Sequence, residues 1–231
     1  MTGKNGDIKL WVIRHGYRID FNDPHWIETA ENPYNPPLAS VGFKQAIETG
    51  ERLKSENIDT IISSPFLRTV QTANIIAEKL GKKFILEAGL SEWLSVLDFN
   101  FRPELDNPAN LVREYPSVIP ESRSLVNPVY PEDNDALDKR IEKTISEIIK
   151  KYGNNILVIS HGSPLKSIFK VLIDYEWEGY PPMCSISMFS YSSGNWKLVI
   201  QADSSHLTSP DNTRVAFYKE RWADLAKSKK P

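Results

Sequence analysis

Two mostly apolar runs, far apart in the chain, stop at the same dipeptide. Residues 8–13, "IKLWVI", lead into Arg14, His15 and Gly16, and residues 155–160, "NILVIS", lead into His161 and Gly162. Short apolar runs bounded in this way read as buried strands. Between and after them strand and helix patterns alternate. Ser40 caps a helical pattern to about Asn57 in which Phe43, Ala46, Ile47, Gly50 and Leu53 share a face. "DTIISS", residues 59–64, is a second strand. The following helix, residues 65–81, has Ser64 as its N-cap and Pro65 as its first residue. Its periodic positions are Phe66, Val70, Ala73, Ala77 and Leu80, and Gly81 stops it. "KFILE" is a third short strand.

Residues 93–131 lose periodicity and carry prolines at 103, 108, 116, 120, 128 and 131. So long a stretch without regular structure reads as a lid or binding insert, or as a passive surface loop. A helix returns from Asp135 to Tyr152, with Leu137, Ile141, Ile145, Ile148 and Ile149 on its face. Another covers "PLKSIFKVLI", residues 164–173. "SISMFSYS" and "NWKLVIQA" form a hairpin around Ser193 and Gly194, and "VAFYKERWADLAK", residues 215–227, reads as a short last helix. The alternation predicts an α/β fold: a three-layer α/β/α sandwich with a mostly parallel central sheet and an irregular inserted lid, all within one domain over residues 1–231. In such sheets ligands bind beyond the carboxyl ends of the strands, where both His-Gly pairs lie.

Composition narrows the partners. Of 231 residues, 40% are hydrophobic and 25% charged, enough for a sizeable core. The net charge of -2 gives no reason to expect a nucleic-acid surface, and the basic tail "KSKKP" reads as solvated. No apolar run approaches membrane-spanning length and the start is polar, so a soluble, cytoplasmic protein with no membrane partner is expected. Cys184, the only cysteine, lies in an apolar-polar pattern and reads as a half-buried thiol, not a nucleophile. His25 and His206 read as ordinary loop residues.

If the strands ending at His15 and His161 are neighbours, the two imidazoles converge. Gly16 and Gly162 would let the backbone turn sharply and approach a ligand. Arg14 supplies a cation beside His15. Arg68 falls in the first turn of a helix, where backbone N–H groups already favour an anion. Taken singly, these are unremarkable turn and surface residues. Two arginines, two histidines and a helix N-terminus together describe a pocket for a dianionic group, most naturally phosphate.

The set "RHG" at 14–16, "SPFLRTVQTA" at 64–73 and "SHG" at 160–162 resembles the histidine phosphatase superfamily, which includes phosphoglycerate mutases. The resemblance covers the two outer thirds of the chain and fades in the middle. It implies that His15 is the nucleophile and forms a phosphohistidine, which water then cleaves. Arg14, Arg68 and His161 would hold the phosphoryl oxygens and stabilise the in-line transition state. His15 must be neutral at its attacking nitrogen, so the other nitrogen needs an acceptor. The family places a general acid after the third strand, where "EAGLSEWL" offers Glu87 and Glu92. Glu92 is the choice, and Glu87 reads as a strand-end surface residue. A glutamate that donates a proton near neutral pH needs substrate charge or desolvation around it. No cofactor and no metal are implied, and the histidines lack the i, i+4 spacing of a zinc motif. Activity should therefore survive EDTA.

Mutase members usually carry Glu then Ser after "RHG" and a Gly-Trp-x-Asp segment. This chain has Tyr17 and Arg18 and lacks that segment. It is more similar to the phosphatase branch that includes the suppressor of T-cell receptor signalling and ecdysteroid-phosphate phosphatases. That branch has an arginine at the position of Arg18 and a Pro-Pro-Leu like that in "NPPLASVG". Arg18 is thus implied as a substrate-binding arginine; a surface salt bridge with Asp20 is the alternative. Tyr17 departs from the acidic residue common in that branch, so substrate preference does not carry over. Phe21, Trp26, Tyr34, Trp93, Arg102, Arg113 and Tyr115 either line the pocket mouth or pack the loops on themselves. The implied activity is a metal-independent phosphomonoesterase acting on a phosphorylated small molecule or phosphoprotein. The alternatives are phosphoglycerate mutase-type transfer, and a non-catalytic interaction subunit like one in an RNA polymerase III transcription factor, which also has Tyr then Arg after "RHG". A homodimer through edge strands near 185–202 is possible.

Overall fold

A computed structural model describes residues 7–23, 25–120 and 123–209. In chain order the elements are β1 (Ile8–Arg14), α1 (Ile19–Asn22), α2 (Trp26–Thr29), α3 (Ser40–Leu53), β2 (Thr60–Ser63), α4 (Leu67–Leu80) and β3 (Phe84–Leu86). A short 3-10 turn (Ala88–Leu90) is followed by α5 (Pro108–Glu114), α6 (Asn134–Tyr152), β4 (Asn155–Ser160), α7 (Gly162–Ile173), β5 (Ile186–Ser192) and β6 (Asn195–Asp203). The helix expected at residues 215–227 lies outside the described residues.

One six-stranded sheet runs β3-β2-β4-β1-β5-β6. β1, β2, β3 and β4 pair in parallel, and β5 runs against both β1 and β6. Because side chains alternate along a strand, β1 feeds two cores. Trp11 and Ile13 pack with Val70, Ala73, Ile76 and Ala77 of α4. Leu10 and Val12 pack with Ile141, Ile145 and Ile148 of α6 and Leu165, Ile168 and Phe169 of α7. The result is the expected three-layer α/β sandwich. Each fully buried aliphatic side chain contributes about 1.5–3 kcal/mol relative to exposure, so the strand ends are anchored from both faces. Among the described residues no helix is long and apolar enough to cross a membrane.

Several local expectations are corrected. The N-cap of α3 is Ala39, not Ser40, and neither it nor the α4 N-cap, Phe66, makes a side-chain cap bond. The α4 N-terminus is instead served from a distance: Leu67 N–H donates to Asn35 Oδ1 at 2.8 Å. Gly81 does end α4, in the left-handed region at φ 62°. On α3 the buried face is Gly42, Gln45, Ala46, Thr49, Gly50 and Leu53, while Phe43 and Ile47 are exposed. The face turns because Gly42 must meet the loop after β1, so polar Gln45 and Thr49 go inward. The stretch 93–131 is not devoid of regular structure. It contains α5, which starts at Pro108 with Asn107 Oδ1 accepting from Ala109 N–H at 2.9 Å. Cys184 is fully buried and lies before β5, at φ 53°. Burial pushes its thiol up to about 12, which makes it unreactive.

Candidate active site

The register of β1 and β4 decides the geometry. Arg14 pairs with Ser160, and His15 N–H donates to the Ser160 carbonyl at 3.0 Å. The next residue on each strand is therefore a histidine beside a histidine, and the ring centroids of His15 and His161 lie 5.3 Å apart. β2 sits on the other side of β4 and delivers Ser64. Ser64 Oγ and His161 Nε2 are hydrogen-bonded at 2.7 Å. Phe66 stacks edge-on against His161 at 5.1 Å, and the Arg68 guanidinium lies 4.6 Å from the Phe66 ring.

His15 is buried, and its Nδ1 lies 2.8 Å from the Gly16 carbonyl. A carbonyl only accepts, so Nδ1 carries the proton and Nε2 keeps a free lone pair. Burial holds the His15 pKa well below the ordinary 6.5, and Arg68, Arg14 and Arg18 push the same way. His161 is likewise held well below 6.5, by burial and then Arg68. Both rings are therefore neutral near pH 7. Burial lowers Arg14 to about 10, which still leaves it charged. Arg14 Nη1 donates to the Pro181 carbonyl at 2.9 Å. Among the described residues Arg14 Nε and His161 Nδ1 are buried without a hydrogen-bond partner.

Glu92 reaches the same spot. Its Oε2 lies 3.5 Å from Arg68 Nη2 and 3.6 Å from His161 Nδ1, and its Oε1 accepts from Trp93 N–H at 3.0 Å. Arg14, His15, Arg68, Glu92 and His161 are thus one cluster. Arg18 adds to its field, since its charge bears on Arg14, His15 and His161. It is buried, not a surface residue, and Asp20 grips it through two hydrogen bonds of 2.9 and 2.6 Å while its guanidinium stacks on Phe21 at 4.6 Å.

Ligand atoms of His15, Glu92 and His161 all lie within 4.8 Å of one another, a convergence the sequence spacing could not show. The three could face a metal ion in geometry. The chemistry of the surroundings favours an anion, because Arg14, Arg18 and Arg68 all act on the same histidines and repel a cation.

Two glycine roles differ from expectation. A Cβ on Gly16 would lie 2.7 Å from the Gly42 carbonyl oxygen, so Gly16 serves the contact between the β1 loop and α3. A Cβ on Gly162 would lie 2.6 Å from the Tyr180 ring. Glu87 is a correction too. It is buried and accepts N–H groups from Gly89, Leu125 and Val126 at 2.9, 2.7 and 3.1 Å. It ties the insert to the sheet and does not face solvent.

Supporting residues escaped the sequence reading. Thr72 Oγ accepts from Gly16 N–H at 3.0 Å, and Gln45 Oε1 accepts from Tyr17 N–H at 2.9 Å. Arg140 is buried in a bidentate pair with Glu132, at 2.7 Å through both Nε and Nη2. It also donates to the carbonyls of Gly89, Ser91 and Glu92 at 2.7, 3.0 and 3.2 Å. Arg140 therefore positions the backbone that carries Glu92. A lone arginine in an amphipathic helix gave no signal of this. Of the loop aromatics, Tyr17 and Phe21 pack together with Met183, and Tyr34 packs with Phe66, Leu94 and Phe99. Arg102 and Arg113 are exposed, and Tyr115 packs against the core under α4. His25 pairs with Glu28 at 3.3 Å, and His206 Nε2 meets Thr49 Oγ at 3.0 Å.

The sequence profile of the histidine phosphatase superfamily (branch 1) matches residues 10–204. The chain belongs to the histidine phosphatase superfamily. It is 26% identical over 230 residues to a probable phosphoglycerate mutase GpmB of Yersinia enterocolitica, covering 88% of this chain and 96% of that one. It is also 26% identical over 242 residues to the ecdysteroid-phosphate phosphatase of Drosophila melanogaster, covering 83% of this chain but only 31% of that longer protein. Among solved structures, the ecdysone phosphate phosphatase from Bombix mori superposes with a TM-score of 0.68 at 20% identity, covering 89% of this chain and 96% of that one. A histidine phosphatase of this kind has both phosphatase and mutase relatives, and phosphoryl transfer or hydrolysis is the chemistry they share.

Proposed function

We propose that the chain is a metal-independent phosphomonoesterase that works through a phosphohistidine on His15 Nε2. The observation that carries this reading is the bond from His15 Nδ1–H to the Gly16 carbonyl, which leaves Nε2 unprotonated beside three arginines. In the first step Nε2 attacks phosphorus and the bond to the alcohol oxygen breaks. Glu92, entering as the acid, gives its proton to the departing oxygen. Arg14, Arg68 and His161 hold the equatorial oxygens, which is where the charge of the transition state lies. In the second step Glu92, now a carboxylate, takes a proton from water, and the water oxygen displaces Nε2 to release inorganic phosphate. Arg14 Nε and His161 Nδ1, buried without a hydrogen-bond partner among the described residues, support the reading because an anionic ligand would complete them. Arg18 contributes charge to this site while Asp20 fixes its direction.

Hydrolysis is favoured over mutase transfer by Arg18, which is buried and acts on both histidines at a position where mutases usually carry a serine and the phosphatase branch an arginine. It is favoured over an interaction role by the convergence of Arg14, His15, Arg68, Glu92 and His161 in one cluster. His15→Ala should lower the turnover of an aryl phosphate by about 10³-fold or more with an unchanged circular dichroism spectrum. Release of inorganic phosphate should need no bisphosphoglycerate. Retained turnover in the variant would refute the nucleophile, and bisphosphoglycerate-dependent isomerisation would establish the mutase reading.

A further inference from the structure

A groove of about 360 Å³ is lined by Trp93, Ser163, Lys166, Tyr180 and, on one side, Lys170 with the acidic Asp138 and Glu176, among others. Three of its walls are attached to catalytic groups. Trp93 follows Glu92 and donates its own N–H to that carboxylate. Ser163 stands two residues after His161, in the first turn of α7. Tyr180 packs on Gly162, and its ring centre lies 5.4 Å from the Arg14 guanidinium. The same ring lies 5.3 Å from the Lys166 ammonium.

The two lysines of the groove differ. Lys170 is held by Asp138 at 2.9 Å and Glu176 at 3.7 Å, and Asp138 is further engaged by Ser167 Oγ at 2.6 Å. Lys166 is half-buried, rests on Tyr180, and pairs with no carboxylate among the described residues. A half-buried cation on one aromatic ring, in a groove that a second aromatic residue also lines, is a receptor for an anion carried on a flat apolar body.

We propose that this groove is the leaving-group subsite and that Lys166 selects phosphomonoesters whose alcohol portion is planar and carries a second anionic group. The inference rests on the phosphatase reading, since it names what that reaction releases. Trp93 and Tyr180 take the planar body, and Lys166 takes the distal carboxylate or other anion.

The test measures binding, so it does not depend on turnover. Calorimetry compares benzylphosphonate with 3- and 4-carboxybenzylphosphonate, which carry the added anion but cannot be hydrolysed. The better carboxylated isomer should bind the unaltered protein about tenfold more tightly than benzylphosphonate, in line with a charge-assisted hydrogen bond in a partly dry site. Lys166→Met keeps most of the apolar stem against Tyr180 and should reduce that ratio to about one, and Lys166→Arg should restore most of it. Equal binding of the carboxylated and plain ligands by the unaltered protein, or a preference that survives Lys166→Met, would overturn the subsite. Turnover of phenyl phosphate by the unaltered protein reports separately on the phosphatase reading. A protein that shows the Lys166-dependent preference and hydrolyses nothing would keep the subsite as an anion site and overturn its assignment to a leaving group.

Discussion

The strand-end half of the site, proposed to grip phosphate, and the loop half, proposed to face the alcohol, are held in different ways. His15, Arg14 and His161 sit at the ends of β1 and β4, whose ladder and two hydrophobic faces fix them, and Arg68 sits at the start of α4 against Phe66. Among its described residues the stretch from 93 to 131 has α5 as its one helix, touches the sheet at a single bridge from Val118 to Phe84, and is held otherwise by buried side chains such as Leu94, Phe99 and Leu111 and by polar clamps at Glu87, the Arg140–Glu132 pair and Asn35 to Asp106. It exposes Val96, Leu97, Phe101 and Val129. The ends of central strands tolerate little change because one shifted residue misplaces every side chain beyond it. A clamped loop can change its exposed residues and keep its anchor points.

Glu92 stands where the two halves meet and gives the sharpest test. Glu92→Gln keeps the shape and removes the proton, so turnover of an alkyl phosphate should fall by about 10²–10⁴-fold. With 4-nitrophenyl phosphate, whose leaving group needs no proton, the loss should be much smaller. Equal losses on both substrates would mean that Glu92 holds the site together and is not the acid.

Next in size is the clamp. Arg140→Met leaves Glu132 as a buried charge without its partner and should cost about 3–5 kcal/mol of stability, read by denaturant unfolding. A loss below about 1 kcal/mol would show that the insert is not held through this pair.

Acid should loosen the rigid half by smaller steps. The pKa values of His15 and His161 are lowered on folding. The unfolded chain therefore binds protons below about 6.5 while the folded chain does not. Stability is full above that pH and falls as pH drops, by about 1.4 kcal/mol per unit for each histidine. His15→Gln should remove one of the two contributions and flatten the slope between pH 6 and 5. An unchanged slope would mean that His15 is not the buried neutral group described.

Smallest of all is an exposed position of the insert. Leu97→Ala, at the most exposed large apolar residue of the insert, should change stability by no more than about 0.5 kcal/mol, in contrast to the clamp at Arg140.

Much of the strand-end half was legible in the sequence because its rules are local. Apolar runs predicted β1, β2 and β4 closely, Gly81 marked the end of α4, and the charged residues at strand ends were visible as such. Local pattern alone makes Cys184 half-buried and Glu87 exposed, whereas both are buried by distant segments. Cys184 lies within the core under α3, and Glu87 is covered by Leu125 and Val126. The start of α4 depends on a distant segment in the same way, since Asn35, far off in sequence, accepts the N–H of Leu67, its first residue. Ser64 Oγ makes its short bond to His161 at 2.7 Å and accepts only a long one, at 3.4 Å, from Phe66 N–H. The start of α5 did carry a local signal, Asn107 then Pro108, but it was hidden among prolines that elsewhere mark irregular chain. Arg140 gave no sign at all, because what it binds is mostly backbone carbonyls brought together only by the fold.

The central claim is a covalent bond between phosphorus and His15. Rapid mixing with a radiolabelled aryl phosphate, followed by a denaturing quench, measures it directly. The account predicts label on the protein that is lost in acid, survives alkali and disappears in His15→Ala. Label that survives acid and is lost in alkali, or that persists in His15→Ala, would contradict it.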